Sequence, residues 1–381
     1  MPETHLGCLT DERILHIVRR YGRVGGMESY VWELTHALSS RGARIDVLCE
    51  QASEMPGADI RVHQLGTSFK KPGWLSALRF SRKVEQWLSK RPYALVHSHE
   101  RTACHNVVTF HGPPFARIRQ RPAWQRQSLR IHASLWLEHS MLLAPGIRAI
   151  VPNSTLIREL LLASYPQAQG KLTAPIPPGV IPPPPRPQRH LPPEGGTIGF
   201  IGREWKRKGL DLAINIVERM REIRPKIELF VLGPEPSAIE HLFRRWKGGY
   251  RLLGDCDARP WFKKLDLVLH PARMEPFGMA LTEALAARVP VVASEQCGAR
   301  DAVLPERVLP LNAPIQLWAE RALEALGNPQ QPYERTWDQV AIEHLALYQK
   351  LIHRNTRNDM SHRPIRDTRS PLTSKVSEQR S

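Results

Sequence analysis

Glu275 and Glu283 stand with seven residues between them, across a Pro-Phe-Gly turn. An apolar run from Leu265 to Leu269 precedes the pair and an amphipathic pattern follows it. The sequence therefore predicts Glu275 in a strand-to-helix loop and Glu283 about two turns into the helix. In a parallel α/β sheet such loops bind ligands, because free N–H groups of the helix meet an anion. The two carboxylates suit a polyhydroxylated ligand that carries phosphate; solvated acids at an ordinary helix start are the alternative.

Four further segments place glycine and polar side chains where predicted strands end. Arg203 and Lys208 lie five residues apart between a predicted strand and a predicted helix, and Gly202 and Gly209 beside them allow close approach of the backbone. His111 ends an apolar run, and a histidine there is either structural or functional. The segments are Gly25-Gly26-Met27-Glu28, Thr109-Phe110-His111-Gly112, Val151-Pro152-Asn153-Ser154, and Phe200-Ile201-Gly202-Arg203 followed by Lys208-Gly209.

In this order, and together with the glutamate pair, the segments resemble the retaining glycosyltransferases of family 4, which have the GT-B fold. The resemblance runs from about Ile14 to about Tyr348. It implies an α/β protein of two Rossmann-like domains with a cleft between them. It also implies a nucleotide-sugar donor, no metal, and transfer with retention at the anomeric carbon, in which the leaving phosphate helps to take the acceptor proton.

The resemblance also implies individual roles. Arg203 and Lys208 bind the diphosphate, Glu275 binds the donor sugar and Glu283 binds the ribose, although Glu283 is otherwise an ordinary helix acid. The implied catalytic residues are Glu275, His111, Arg203 and Lys208. The implied donor-binding residues are Gly25, Gly26, Gly202, Arg203, Lys208, Gly278, Met279 and Glu283.

Two features bear on how far the family pattern carries over. The segment from Cys297 to Asp301 has one glycine where the family often has two, so the identity of the donor nucleotide stays open. His97 and His99 could pair on a metal, but no third ligand is placed nearby by the sequence, and we expect no metal.

Alternation of predicted strands and helices favours two parallel sheets, and a proline-rich stretch divides them. Ten prolines occur in the nineteen residues from Pro175 to Pro193, which excludes a helix or a central strand there. The implied organisation is an acceptor domain at residues 1–175, a linker at 176–195, a donor-binding domain at 196–332, a helix crossing back at 333–353, and a disordered basic tail at 354–381.

Composition limits the class of protein. A chain of 381 residues suggests two or three domains, and its five cysteines, none in a Cys-x2-Cys pair, argue against a disulfide framework and against a structural zinc site. The first thirteen residues carry acids and lack the apolar core of a signal peptide, and no apolar run approaches a membrane span. We expect a cytoplasmic protein.

A net charge of +17 indicates an anionic partner. Residues 117–130 hold five arginines and no acid. Residues 70–91 hold seven basic residues, and the apolar residues among them recur at roughly helical spacing. These are either solvated faces or surfaces that meet anionic lipid or a phosphorylated glycolipid at the inner membrane. No nucleic-acid-binding motif is evident, and we expect no nucleic acid.

The sequence thus predicts a hexosyltransferase (or heptosyltransferase) acting on a glycan or glycolipid, in lipopolysaccharide core or related cell-surface polysaccharide biosynthesis. A UDP-hexose is the favoured donor, followed by GDP-mannose and ADP-heptose. The alternatives are a sugar-nucleotide epimerase or phosphorylase-like enzyme of the same fold, and a non-catalytic binding protein with that fold.

Overall fold

Two six-stranded parallel sheets, one after the other along the chain, form the centres of two α/β domains. This arrangement is seen in a computed structural model that describes residues 12–57, 59–67, 72–181, 183–184 and 190–361. Helices cover both faces of each sheet, so the central strands are mostly apolar and almost fully buried.

The first sheet has the strand order β5-β3-β1-β6-β7-β8. A two-stranded parallel ribbon of β2 and β4 lies beside it. The strands are β1 (Arg13–Ile17), β2 (Arg20–Tyr21), β3 (Arg44–Cys49), β4 (Gln51–Ala52), β5 (Ile60–Gln64), β6 (Leu95–Ser98), β7 (Val107–Phe110) and β8 (Ala149–Pro152), and the helices are α1 (Gly26–Ser40), α2 (Gly73–Leu88), α3 (Leu129–Leu143) and α4 (Thr155–Ser164).

The second sheet has the order β11-β10-β9-β12-β13-β14, the same winding about its first strand. Its strands are β9 (Gly195–Ile201), β10 (Lys226–Leu232), β11 (Tyr250–Leu252), β12 (Leu267–His270), β13 (Val291–Ser294) and β14 (Val308–Leu309), and the helices are α5 (Trp205–Lys208), α6 (Leu210–Arg221), α7 (Pro236–Ile239), α8 (Arg259–Phe262), α9 (Met279–Ala286), α10 (Ile315–Ala325) and α11 (Trp337–Ser361). The predicted two-domain parallel fold is confirmed.

The chain crosses between the domains twice, and the two crossings lie side by side. Val180 N–H donates to the carbonyl of Arg335 at 2.8 Å, and the Tyr333 hydroxyl donates to the carbonyl of Pro178 at 2.7 Å. After the second crossing, α11 packs on α1 of the first domain, where Arg41 forms a two-pronged salt bridge to Asp338. The described part of the proline-rich stretch is neither helix nor strand, as its prolines require.

The first extended stretch of the chain is interrupted at Val18 and Arg19, because Arg20 and Tyr21 leave the main sheet to pair with β4. The last helix differs from its predicted bounds, since it does not end at residue 353 but continues to Ser361. Residues 354–361 are mostly polar but contain no glycine or proline, so nothing in them stops a helix. The rest of the predicted tail, 362–381, lies outside the described residues, as do Lys70 and Lys71 of the predicted basic helix.

Candidate active site

A cavity of about 600 Å³ lies between the two domains, at the carboxyl ends of both sets of strands. Every residue that the sequence analysis assigned to the site lines it. These residues are Gly25, Gly26, His111, Gly202, Arg203, Lys208, Glu275, Gly278, Met279 and Glu283. Their roles stay predictions, but the fold brings them to one place from both domains.

Lys208 and Glu275 form an ion pair at the floor of this cavity. The Lys208 Nζ lies 2.8 Å from the Glu275 Oε2, and both side chains are nearly buried. Gly202 makes the pairing possible because its φ of +139° is left-handed and because a Cβ there would lie 2.3 Å from the Lys208 side chain. The loop after β13 fixes Glu275, whose N–H donates to Gln296 and whose carbonyl accepts from Gly298, each at 2.8 Å.

The surroundings of Glu275 keep it ionised although it is buried. Burial alone would raise the pKa of this carboxyl, but the attraction of Lys208, with contributions from His270 and Arg207, holds the pKa well below its usual range. The cost of burying the charge is thus offset by neighbouring cations. A ligand that draws Lys208 away must supply hydrogen-bond donors to Glu275 in return.

The cations expected to hold a diphosphate are all paired with carboxylates in this structure. Arg203 binds Asp255 at 2.7 Å and also reaches the Val24 carbonyl of the first domain at 3.5 Å. Arg207 binds Glu204 at 2.5 Å and donates to the Met274 carbonyl. Because Arg203 and Asp255 are both largely exposed, their pair is weak and easily exchanged for a phosphate.

Helix α9 opens directly onto the cavity. Gly278, left-handed at φ +100°, precedes the first helical residue Met279, and no side chain caps the helix, so its first N–H groups are available to an anion. Glu283 is the fifth residue of α9, just over one turn in rather than the predicted two, because the helix starts later than its apolar pattern suggested. Burial raises the pKa of Glu283 to about 7, against the attraction of Arg259.

His111 belongs to a chain of hydrogen-bonded histidines on the first sheet. His111 Nε2 lies 3.0 Å from His99 Nδ1, and His99 Nε2 lies 3.2 Å from His16 Nδ1. Burial lowers the pKa of His111 to about 3 and that of His16 to about 3, with a further contribution from His344 in each case. His111 is therefore neutral at pH 7 and suits a hydrogen bond to a sugar hydroxyl better than an ion pair with phosphate.

The structure supplies the third histidine that the sequence analysis lacked for a metal. Side-chain nitrogens of His16, His97 and His99 all lie within 4.8 Å of one another. Both nitrogens of His97 are already bonded, to Tyr348 and Thr109, and both nitrogens of His99 are bonded to other histidines. Only His16 Nε2 lacks a partner within the described part of the chain, so a hydrogen-bonded network explains this cluster better than a metal ion.

Two aspartates of the cavity were missed in the sequence. Asp255 and Asp257 form an Asp-x-Asp motif, and each is paired with an arginine, Arg203 and Arg259 respectively. They follow the short strand β11, whose carboxyl end was the available signal. Asn153, from one of the segments singled out in the sequence, also lines the cavity, and the neighbouring Ser154 donates to the Pro276 carbonyl across the cleft at 2.8 Å.

Comparisons with known proteins identify the class to which this fold and cavity belong. The family model described as "Glycosyl transferases group 1" matches residues 195–328, and the model described as "Glycosyltransferase Family 4" matches residues 24–182. The chain belongs to the family 4 glycosyltransferases with the GT-B fold, and it is a glycosyltransferase.

Two D-inositol 3-phosphate glycosyltransferases are among its relatives. The protein from Xylanimonas cellulosilytica is 26% identical over 86% of this chain and 92% of its own length. The protein from Jonesia denitrificans is 31% identical, but the match covers only 42% of this chain and 44% of that protein.

Lipopolysaccharide glucosyltransferase WaaG from Escherichia coli is 34% identical over 26% of this chain and 28% of its own length. The crystal structure of WaaG, a glycosyltransferase involved in lipopolysaccharide biosynthesis, superposes with a TM-score of 0.68 at 17% identity. It covers 91% of this chain and 99% of that one, which supports the fold. Among the described helices, none combines the length and apolarity that a bilayer crossing requires.

Proposed function

We propose that this enzyme transfers a hexose from a UDP-hexose, with retention of the anomeric configuration, to a phosphate-bearing glycolipid or oligosaccharide of the lipopolysaccharide core or a related cell-surface glycan. It acts at the cytoplasmic face of the inner membrane and uses no metal. A heptose and the donors GDP-mannose and ADP-heptose are the next candidates.

The buried pair of Lys208 and Glu275 beside the open end of α9 carries this proposal. A sugar diphosphate in the cavity would exchange partners with this pair. Its phosphate oxygens would take Lys208, Arg203 and the α9 N–H groups, and the sugar hydroxyls would donate to Glu275. The charge that grows on the leaving diphosphate then meets fixed cations, of which the nearly buried Lys208 is the most effective.

The donor is tested by melting the purified protein with UDP-, GDP- and ADP-sugars, since a ligand stabilises the folded state to which it binds. We expect the largest rise in melting temperature with a UDP-hexose. Release of UDP should then require an acceptor, and NMR of the product should show the anomeric configuration of the donor. An inverted product would refute retention, and loss of activity in EDTA would refute the metal-free mechanism.

The same assays separate the alternatives. An epimerase would change the sugar nucleotide without an acceptor, and a phosphorylase would require inorganic phosphate. A non-catalytic protein would bind the nucleotide without releasing UDP. The presence of Lys208, Arg203 and Glu275 together in one cavity favours a transferase over a non-catalytic binding protein.

A basic segment at residues 115–130 supports an anionic, membrane-bound acceptor. It forms two short 3-10 turns, Phe115–Gln120 and Ala123–Arg126, before α3. Arg119, Arg121 and Arg130 are exposed on it. Large apolar side chains project among and beside these cations, and the exposed fractions are 73% for Trp124, 71% for Leu129 and 59% for Trp136. Aromatic and cationic side chains presented together suit the headgroup region of an anionic bilayer.

Vesicle binding tests this surface. Wild-type protein should sediment with vesicles that contain phosphatidylglycerol at low salt, and neutral vesicles should leave it in solution. Replacing Arg119, Arg121 and Arg130 with Ser should weaken binding strongly, because each cation contributes on the order of 1 kcal/mol at an anionic surface. The matched control replaces three exposed cations of the second domain, Arg244, Arg245 and Lys247. An equal loss of vesicle binding in both triple variants would show that only net charge matters, and it would refute docking through the basic segment.

A further inference from the structure

A second, smaller cavity lies in the first domain beside the donor cavity. Its volume is about 160 Å³, and the two cavities share Met27 and His111 in their walls. Pockets for drug-sized molecules run from roughly 300 to 1,000 Å³, so this one has room for about one sugar unit. The cavity is bounded by Glu100 and Arg101, which follow β6, and by Gly112, which follows β7.

Glu100 and Arg101 give this cavity an acceptor and a donor of hydrogen bonds. Glu100 Oε1 accepts from the N–H of Arg19 at 3.2 Å, and the side chain is half-buried. Burial raises the pKa of Glu100 to about 7, with Arg19 acting in the opposite direction. The Arg101 guanidinium lies 3.9 Å from buried Glu138, too far for a strong bond, so it remains able to donate elsewhere.

The position of the cavity connects it to the basic segment. Glu138 of α3 accepts from the N–H groups of Phe115 and Ala116, at 2.6 and 2.8 Å, and from the Tyr165 hydroxyl at 3.0 Å. These bonds fix the loop that runs from Gly112 at the cavity directly into the cationic 3-10 turns. A glycolipid headgroup held by the basic segment would therefore reach this cavity first.

We propose that the cavity beside Glu100 and Arg101 receives the acceptor sugar unit that carries the attacking hydroxyl, an inference that rests on the proposed function. The sugar hydroxyls donate to Glu100 and accept from Arg101, and His111 lies between acceptor and donor. In the reaction, the acceptor oxygen forms a bond to the anomeric carbon and the bond from that carbon to the diphosphate oxygen breaks. The hydroxyl proton leaves with the diphosphate, so the products are the glycoside and the nucleoside diphosphate.

Two variants test the cavity, one by charge and one by volume. Glu100→Gln should raise the acceptor KM about tenfold, the loss expected for one charge-assisted hydrogen bond. Gly112→Val should raise the acceptor KM at least as much by filling space. A Cβ at Gly112 meets no atom within 4 Å, and its backbone is not left-handed, so the variant should fold. For both variants, the rise in melting temperature with UDP-hexose should match that of wild type.

Matched controls separate this proposal from the donor site and from general damage. Glu85→Gln, at an exposed position of α2, and Gly170→Val, where a Cβ also meets no atom, should leave the acceptor KM unchanged. Gly26→Val, in the donor cavity alone, should lower the affinity for UDP-hexose instead. An unchanged acceptor KM in both Glu100→Gln and Gly112→Val overturns the acceptor site. Failure of wild type to bind any nucleotide sugar would overturn the proposed function itself.

Discussion

At the scale of single residues, burial distinguishes side chains that the sequence presents as equals. Lys208 and Arg203 were predicted as matching phosphate ligands. Lys208 is 14% exposed and paired with buried Glu275, whereas Arg203 is 63% exposed and paired with exposed Asp255. An ion in a site of low water content interacts more strongly with a developing charge than one facing solvent. The two cations should therefore contribute unequally.

Lys208→Ala should lower kcat by roughly 10² to 10³, the usual effect of removing one preorganised donor. Arg203→Ala should lower it less, by about tenfold, since water and salt screen an exposed cation. Initial rates at saturating donor measure both. Equal losses in the two variants would show that burial does not determine how much each cation contributes. Wild-type rates in both variants would refute the assignment of Arg203 and Lys208 as phosphate ligands.

The two glutamates should separate into sugar and nucleotide roles. Glu275→Gln keeps the shape but removes the charge, so turnover should fall by about 10² while the affinity for UDP changes little. Glu283→Ala should instead weaken UDP binding first, because it removes a carboxylate able to accept two hydrogen bonds from a diol. Calorimetric titration with UDP, set beside kcat, separates the two. Weaker UDP binding in Glu275→Gln at an unchanged rate would reverse the assignments.

At the scale of elements, α11 joins the histidine network of the first sheet although it follows the second domain in sequence. His344 Nδ1–H donates to the Val340 carbonyl at 2.8 Å, so its other nitrogen accepts from the Tyr30 hydroxyl at 3.5 Å. Further along α11, the Tyr348 hydroxyl lies 2.6 Å from His97 Nδ1, and His97 Nε2 lies 2.8 Å from Thr109 Oγ1. The last helix thus completes the first domain beneath the strand that carries His111.

Tyr348→Phe tests this connection. It deletes one hydroxyl and leaves a buried His97 nitrogen without its partner, which should lower the free energy of unfolding by about 1 to 3 kcal/mol. Urea denaturation of wild type and variant measures the difference. The control is Tyr250→Phe, because Tyr250 is half-buried and its hydroxyl has no hydrogen bond among those seen in the described residues. Equal stability of the two variants would show that the Tyr348 hydroxyl contributes nothing.

At the scale of the whole molecule, two contacts join the domains across the cleft near the site. Ser154 bonds to Pro276, next to Glu275, and Arg300 forms a two-pronged salt bridge of 2.8 Å to Glu159.

The titration of the folded protein is equally a property of the whole molecule, because buried histidines and buried glutamates lie in both domains and act on stability in opposite directions.

Stability should decline as the pH falls from 6.5 towards 4.5. Buried histidines with pKa values lowered to about 3 or 4 stay neutral when folded but bind protons when unfolded. They are His16, His105, His111 and His344. Glu100 and Glu283, with pKa values raised to about 7, act in the opposite sense over this window.

Four protons gained on unfolding against two released leave a net uptake of two, or about 3 kcal/mol per pH unit. His97 and His99, whose pKa values burial also lowers, add to this uptake. Urea denaturation from pH 7 to 5 measures the slope. A midpoint that stays constant or rises on acidification would show that these histidines are not buried and neutral.

The sequence by itself predicted the class, the fold and ten of the residues that line the cavity between the domains. The alternation of strands and helices predicted two parallel sheets, because buried parallel strands and amphipathic helices are set by local apolar spacing. Glycine and charge at strand ends then located Gly25, His111, Arg203 and Glu275, since the carboxyl ends of parallel strands must meet at one edge.

Only the tertiary structure decided which of these groups pair and which extra residues join them. The pairing of Lys208 with Glu275, the histidine chain from His16 to His111, and the contribution of Tyr348 all join residues distant in sequence. Spacing along the chain carries no information about such contacts, because they depend on strand order and on a helix that crosses back between domains. The opposite pKa shifts of Glu275 and Glu283 follow from the same packing: burial raises the pKa of both carboxyls, and at Glu275 the attraction of Lys208 and its neighbours outweighs it.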